Sequence, residues 1–336
     1  MQQIRVHGPD DVRLDDVAAA EPGPRDAVVR VAACGICGTD LSYIRMGGLG
    51  GAEPMALGHE MAGVVDRVGA EVTDWTAGDR VIVYPGNDEL GRIGNGISEG
   101  GLTPRLLVRE VAGGGRLYRV PDGMSLQVAA LAEPLAVGMQ AVNQAEAGPD
   151  DTVAVFGCGP VGLFAIATLA DRGIDQVVAV DLSERRRELA RALGARAVLD
   201  PGEVDVWAEL ARLHGTVPFM FGPAPATHAF IEASGSSRVL TDIIDRSRPG
   251  GRMSVVAVHF TPVPTNWSMV LMKELTIRGS FEYLPRFEDA IELLERRDLS
   301  NVITHTLPLD DFDAALALLR GSKDCGKVLI TIGDDR

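Results

Sequence analysis

The sequence predicts an α/β protein built on an open, doubly wound parallel sheet, and three observations carry that reading. First, a β-branched run, Thr152–Phe156, meets Gly157-Cys158-Gly159-Pro160-Val161-Gly162 and passes directly into an apolar helical stretch. This is G-x-G-x-x-G at a strand-to-helix switch, the context that gives the pattern meaning. The first Gly permits a tight turn, the second lets a pyrophosphate approach the backbone, and the third lets helix and strand pack closely. Second, the next strand, Gln176–Val180, ends at Asp181, about twenty residues beyond the last Gly, where a carboxylate accepts ribose hydroxyls. Third, 336 residues are enough for two domains, each with its own core.

The composition is that of an ordinary globular chain, 46% hydrophobic and 24% charged. A net charge of −15 argues against nucleic acid or an anionic membrane as partner. Met1–Arg5 leads into a polar segment without an apolar h-region, so no signal peptide is expected. Four cysteines in a chain this long are not a disulfide framework, and a reducing cytoplasm is the expected setting. The apolar stretch around Val153–Ala170 approaches the length of a membrane span, but its glycines, its proline and its β-to-α switch argue against one.

The order of the elements continues on either side of that centre. Ala27–Ala32 reads as a strand, followed by Cys34-Gly35-Ile36-Cys37-Gly38-Thr39-Asp40. A lone CxxC suggests a redox pair or half of a zinc knuckle, and no second pair completes a four-thiolate site. Gly58-His59-Glu60 then precedes a strand at Gly63–Val68. A thiolate, an imidazole and carboxylates form a donor set suited to a catalytic zinc, which keeps one position open. Ser183 reads as the N-cap of a helix closed by Gly194. Arg185, Arg186 and Arg187 read as a solvated helix face, with Arg186 as the candidate cofactor contact. Thr227–Ala233 and Arg252–Val258 supply further strands, and Ala233–Gly235 with Ala257–His259 fall at strand ends, where an open sheet binds its ligand. Helices are expected at Phe287–Arg296 and Asp310–Leu319, and a last strand at Lys327–Ile332. His214, His228 and His305 read as surface residues, and the aromatic, proline-rich Phe219–Pro225 as an ordered loop covering the cofactor or meeting another subunit.

GHExxGxxxxxGxxV from Gly58, CGICGTD upstream, GDRV at Gly78–Val81 and GCGPVG downstream occur in that order. The chain thereby resembles the zinc-dependent medium-chain alcohol and polyol dehydrogenases over essentially its whole length. Leu131-Ala132-Glu133-Pro134 sharpens the likeness toward the sorbitol, idonate and threonine dehydrogenase branches. The resemblance implies a GroES-like β-rich catalytic domain from both chain ends (1–137 and 275–336) and a Rossmann domain between them (138–274), with Lys273–Ser280 marking the re-entry. It implies zinc held among Cys37, His59, Glu60 and Glu133, with Glu60 and Glu133 as direct, water-mediated or exchanging ligands. His59 and Glu60 thus sit at the catalytic centre beside Thr39, the hydroxyl that takes the substrate proton, while Asp40 orients His59. Cys34 matches no ligand and is expected to be a buried thiol. NAD is the expected cofactor, held by Gly157, Gly159, Pro160, Val161, Gly162, Asp181 and Arg186, because the Asp181 carboxylate would repel a 2′-phosphate.

Two departures from the pattern set further expectations. The lobe after GDRV, Tyr84–Gly96, contains no cysteine, so one catalytic zinc per chain and no structural zinc are expected. Ser42 stands where many relatives carry a proton-relaying His, and a hydroxyl cannot hold a proton near neutral pH. Tyr43, Phe281 and Tyr283 are candidate pocket walls, with core packing favoured for each. The expected activity is hydride transfer between NAD and a secondary alcohol, a polyol, sugar acid or cyclitol, by a homodimer or homotetramer. The alternatives are a zinc-free enone or quinone reductase of the same superfamily and a catalytically silent NAD-binding protein.

Overall fold

The computed structural model describes residues 1–50, 54–86, 89–321 and 324–332. Two compact units emerge, one from Met1–Glu133, Phe287–Ser322 and Lys327–Arg336, the other from Pro134–Arg286 and Lys323–Gly326.

In the second unit, six strands lie parallel in the order Ala197–Leu199, Val177–Val180, Val153–Phe156, Ala229–Glu232, Arg252–Val255, Thr276–Gly279. The chain starts in the middle, winds out to one side, then returns and winds out to the other. That doubly wound order leaves a switch point at the ends of Val153–Phe156 and Ala229–Glu232. Every residue of Val177–Val180, Val153–Phe156 and Ala229–Glu232 is buried, which explains why these strands are apolar but for the terminal Glu232. The helix Pro160–Asp171 has Pro at its first turn and is apolar nearly all round, because it too is enclosed. Ser183 Oγ accepts from Arg186 N at 3.2 Å and caps the helix Glu184–Leu193, which stops at Gly194. Phe156, Trp207 and Phe230 stack in sequence, with ring centroids 6.0 Å apart at each step.

Thr276–Gly279 corrects one expectation. Rather than turning back at residue 275, the chain adds these residues as the edge strand of the parallel sheet, and it joins the first unit at Phe287.

In the first unit, Ala27–Ile36 is central to a seven-stranded sheet. Lys327–Thr331 and then Ile303–Pro308 lie on one side, Glu60–Val68, Arg80–Val83 and Leu117–Arg119 on the other, and Arg105–Val108 also pairs with the central strand. Gln2–Gly8, Asp11–Asp16 and Met55–Ala56 form a smaller antiparallel sheet. The helices Glu288–Arg296 and Phe312–Gly321 bury their apolar faces. In the lobe after Gly78–Val81, Asn87 and Asp88 lie outside the described residues; among the rest, Ile93 is buried and Arg116 donates to the Gly91 carbonyl.

The histidines expected at the surface are tied in. His214 Nδ1 lies 2.8 Å from Thr227 Oγ1, His228 Nδ1 accepts from Thr152 N at 3.1 Å, and His305 Nδ1 lies 3.0 Å from Thr304 Oγ1. Burial, with His228 and Arg196 adding to it, depresses the pKa of His214 to about 4. An unfolded His titrates near ~6.5, so as pH falls through the window from about 6.5 to about 4 the unfolded chain binds the extra proton and stability is lost. His214→Gln should therefore reduce the drop in melting temperature between about pH 7 and about pH 4.5. Identical pH dependence in both proteins would remove His214 from the account.

Candidate active site

A crevice of ≈ 800 Å³ lies over the strand ends of the second unit, lined by Gly157, Gly159, Asp181, Arg186, Ser234 and Trp207 among others. Its volume is that of a ligand site. The three glycines fill distinct roles. Gly157 has φ 93°, and a Cβ there would lie 2.7 Å from the Ala233 carbonyl; a Cβ on Gly162 would lie 1.9 Å from the Gly157 oxygen. A Cβ on Gly159 would meet nothing within 4 Å, so this glycine faces open space at the start of the helix. There the unpaired N–H groups and the positive end of the helix dipole favour a phosphate. Pro160 and Val161 form the first turn.

Asp181 accepts from Cys158 N at 2.7 Å and from Ser183 N at 2.8 Å, one bond on each oxygen. A carboxylate has about four acceptor positions, so capacity remains for ribose hydroxyls. The three arginines diverge from a uniform solvated face. Arg185 is exposed and pairs with Glu188, whereas Arg187 pairs with Asp200 at 2.7 Å. Arg186 lines the crevice and donates to the Cys325 carbonyl at 2.9 Å.

In the first unit, one donor atom each from Cys37, His59 and Glu60 lies within 4.8 Å of the others. The strand Ala27–Ile36 ends just before Cys37, which opens the helix Gly38–Met46; Asp40 in the first turn accepts from Cys37 N at 2.8 Å. Glu60 begins the neighbouring strand, Glu60–Val68, and His59 immediately precedes it. Asp40 Oδ1 faces His59 Nδ1 at 3.5 Å, both atoms are buried, and neither has a hydrogen bond among the described residues. Burial opposes a charge on His59, but Asp40, Cys37 and Glu133 outweigh it and hold the imidazole well above its ordinary pKa. A cation among these donors would supply the positive charge that the acidic groups otherwise draw from the imidazole. Thiolate, imidazole and carboxylate suit zinc. Glu133, buried in the first turn of Ala132–Gln144, acts electrostatically on His59 without belonging to the compact trio.

Residues 23–121 match the family profile described as alcohol dehydrogenase GroES-like domain, and residues 160–296 that of zinc-binding dehydrogenase. The chain is 31% identical to (R,R)-butanediol dehydrogenase of Neisseria gonorrhoeae over 92% of its own length and 93% of that protein. It is 32% identical to human sorbitol dehydrogenase over 91% and 88%. The crystal structure of 2R,3R-butanediol dehydrogenase from Bacillus subtilis superposes with a TM-score of 0.86, at 28% identity over 99% of both chains. The chain belongs to the zinc-type medium-chain alcohol and polyol dehydrogenases. It is an alcohol dehydrogenase whose fold joins a GroES-like domain to a Rossmann sheet.

Around the dehydrogenase's donor cluster, Thr39 Oγ1 lies 3.4 Å from Cys37 Sγ. Ser42 Oγ donates to the Gly38 carbonyl of its own helix at 3.4 Å. Cys34 is fully buried, and burial raises its thiol pKa. Tyr43 is half-buried, while Phe281 is 73% exposed and is not a core residue. The Phe219–Pro225 segment is a hairpin tip: Phe219 packs edge-on to Phe221 and under Lys273, and Met220 and Phe221 are exposed.

Lys327 carries no local signal in the sequence that marks it as part of the site. Its ammonium pairs with the Glu60 carboxylate and donates to the Ile36 carbonyl at 3.0 Å, and both side chains are inaccessible to solvent. Lys327 sits on the last strand, next to the central one, and Glu60 sits on the strand beyond, opposite Gly35. A Cβ on Gly35 would lie 1.8 Å from Glu60 Oε2 and 2.6 Å from Lys327 Cε, so only glycine lets the lysine reach across. Burial disfavours the Lys327 charge, and Glu60, with Cys37 and Glu133 adding to it, more than offsets that, raising its pKa. Lys327→Met should destabilise the protein by about 3–5 kcal/mol, because an unpaired buried carboxylate remains. Chemical denaturation measures it; a loss under about 1 kcal/mol would contradict the pairing's importance.

Proposed function

We propose that the enzyme oxidises a small secondary alcohol, a vicinal diol or polyol, with NAD and one zinc per chain. The donor cluster supports this reading: Cys37, His59 and Glu60 each bring a donor atom within 4.8 Å of the others, a set that could hold a metal ion, and Lys327 pairs with Glu60. Cys37 and His59 would be direct ligands, with Glu60 and Glu133 as the carboxylates that bind directly, through water or in exchange, Glu60 being paired with its lysine. When bound, zinc supplies a Lewis acid that lowers the pKa of an alcohol at its open position, and NAD supplies the hydride acceptor. Thr39 takes the hydroxyl proton, and Asp40 sets the orientation of the His59 ring. Gly157, Gly159 and Gly162 give the pyrophosphate its backbone cradle, and Asp181 accepts the adenosine ribose hydroxyls. Arg186 and Arg187 are engaged by Cys325 and Asp200, which leaves Asp181 to set the preference for NAD over NADP.

The diol and polyol assignment draws on the substrates in the relatives' names. The four free cysteines fit a reducing, cytoplasmic setting, and a homodimer or homotetramer is proposed from the family likeness. NADH formation across butanediols, sorbitol and related polyols, sugar acids and cyclitols tests the substrate reading; silence on all of them with cofactor binding intact would refute it. Asp181→Ala should raise KM for NAD several-fold and leave that for NADP nearly unchanged. An unaltered ratio would refute the NAD assignment.

A further inference from the structure

Glu232 ends the strand Ala229–Glu232 as a completely buried carboxylate. A carboxylate out of water is tolerated only when its oxygens are hydrogen-bonded, and both oxygens of Glu232 are. Oε1 accepts from Ser234 N at 2.9 Å, Ser234 Oγ at 2.6 Å and Gly235 N at 3.0 Å. Oε2 lies 2.9 Å from His259 Nε2. The main chain reinforces the link, since Val256 N and Ala257 N both donate to the Glu232 carbonyl, at 3.0 and 3.1 Å.

The burial order around His259 is inverted. Its imidazole is 11% exposed, while its apolar neighbours Val258 and Phe260 are 58% and 59% exposed. The polar ring has turned inward to Glu232, and two apolar side chains are left uncovered on the loop that leaves the sheet.

The position along the sheet shows what this pair serves. Asp181 follows Val177–Val180, the glycine loop follows Val153–Phe156, Glu232 ends the next strand, and His259 lies beyond the one after that. These four strands are adjacent in that order, at ~4.8 Å per step. Ala233, Ser234 and Ser236, the loop that Glu232 holds, line the same crevice as Asp181 and the glycines. With the adenosine ribose at Asp181 and the pyrophosphate at the glycine loop, the remaining half of the dinucleotide extends toward Glu232 and His259.

We propose that His259, latched by Glu232, is a positioning residue for the nicotinamide end of the cofactor; this rests on the NAD reading above. The Nε2–H of the imidazole donates to the carboxylate, which fixes the ring and pins the segment Val256–Phe260. The nicotinamide then meets a loop already ordered, with the apolar surface of Val258 and Phe260 available to it.

The test compares NADH with ADP-ribose, which lacks the nicotinamide, by calorimetric titration of the full-length protein. His259→Leu should weaken NADH at least tenfold and ADP-ribose less than twofold, and His259→Gln, which keeps a donor for Glu232, should recover most of the loss. Thermal melts confirm that each variant is folded. Equal weakening of both ligands would mark a structural role only and overturn the proposal, as would unchanged affinity for both. Wild-type protein that binds neither ligand would overturn the cofactor reading itself, and this inference with it.

Discussion

Exchange of Cys37 for Ser should leave the purified enzyme nearly free of zinc and without measurable alcohol oxidation. The thiolate is the softest donor of the cluster, and a neutral hydroxyl restores neither its charge nor its affinity. Even outer partners of a metal site contribute ~10–100-fold to affinity, so loss of a direct ligand should exceed that. The fold should survive, because Cys37 is only half-buried and its place at the start of the helix Gly38–Met46 suits Ser. Zinc content by elemental analysis, read beside a thermal melt, checks this. A folded Cys37→Ser protein with a full complement of zinc would remove Cys37 from the ligand set.

Thr39→Val should lower turnover by roughly 10²–10⁴, the span of a general acid–base contribution, while zinc content stays unchanged. Val matches Thr in shape and branching, so the helix and the Cys37 geometry persist and only the hydroxyl is lost. Thr39→Ser should keep much of the rate. The two variants at this position separate proton transfer from packing, and together with Cys37→Ser they separate proton transfer from metal binding. Turnover near wild type in Thr39→Val would mean that another group takes the proton.

The parts of this site that could be read from the sequence are those written locally. Gly157, Gly159 and Gly162 announce themselves because they fall together in one strand-to-helix turn, and Asp181 follows at a spacing set by one helix and one strand. Cys37 with Asp40, and His59 with Glu60, are each fixed within a few residues, and their resemblance to a known pattern joined them. Lys327 was hidden because its pairing with Glu60 spans 267 residues and depends on strand order. The only local hints were a charged residue opening an apolar strand and a glycine inside another, at Gly35. Glu232 and His259 were hidden similarly: the strand ends were visible, but the direction in which His259 turns was not. Thr276–Gly279 was misplaced because a short edge strand, only half-covered, carries little of the apolar signal that marks inner strands.

A single zinc, held in the first unit by Cys37, His59 and a glutamate, is proposed to be required for NAD-linked alcohol oxidation. This requirement is tested most directly by following NADH formation from a diol or polyol substrate while a chelator is added and zinc is then restored, with bound metal measured at each stage. Turnover should fall with the zinc, reach background near zero occupancy, and return when about one zinc per chain is bound again. Turnover that persists in protein shown to hold no metal would contradict the requirement and favour a zinc-free reductase on the same fold.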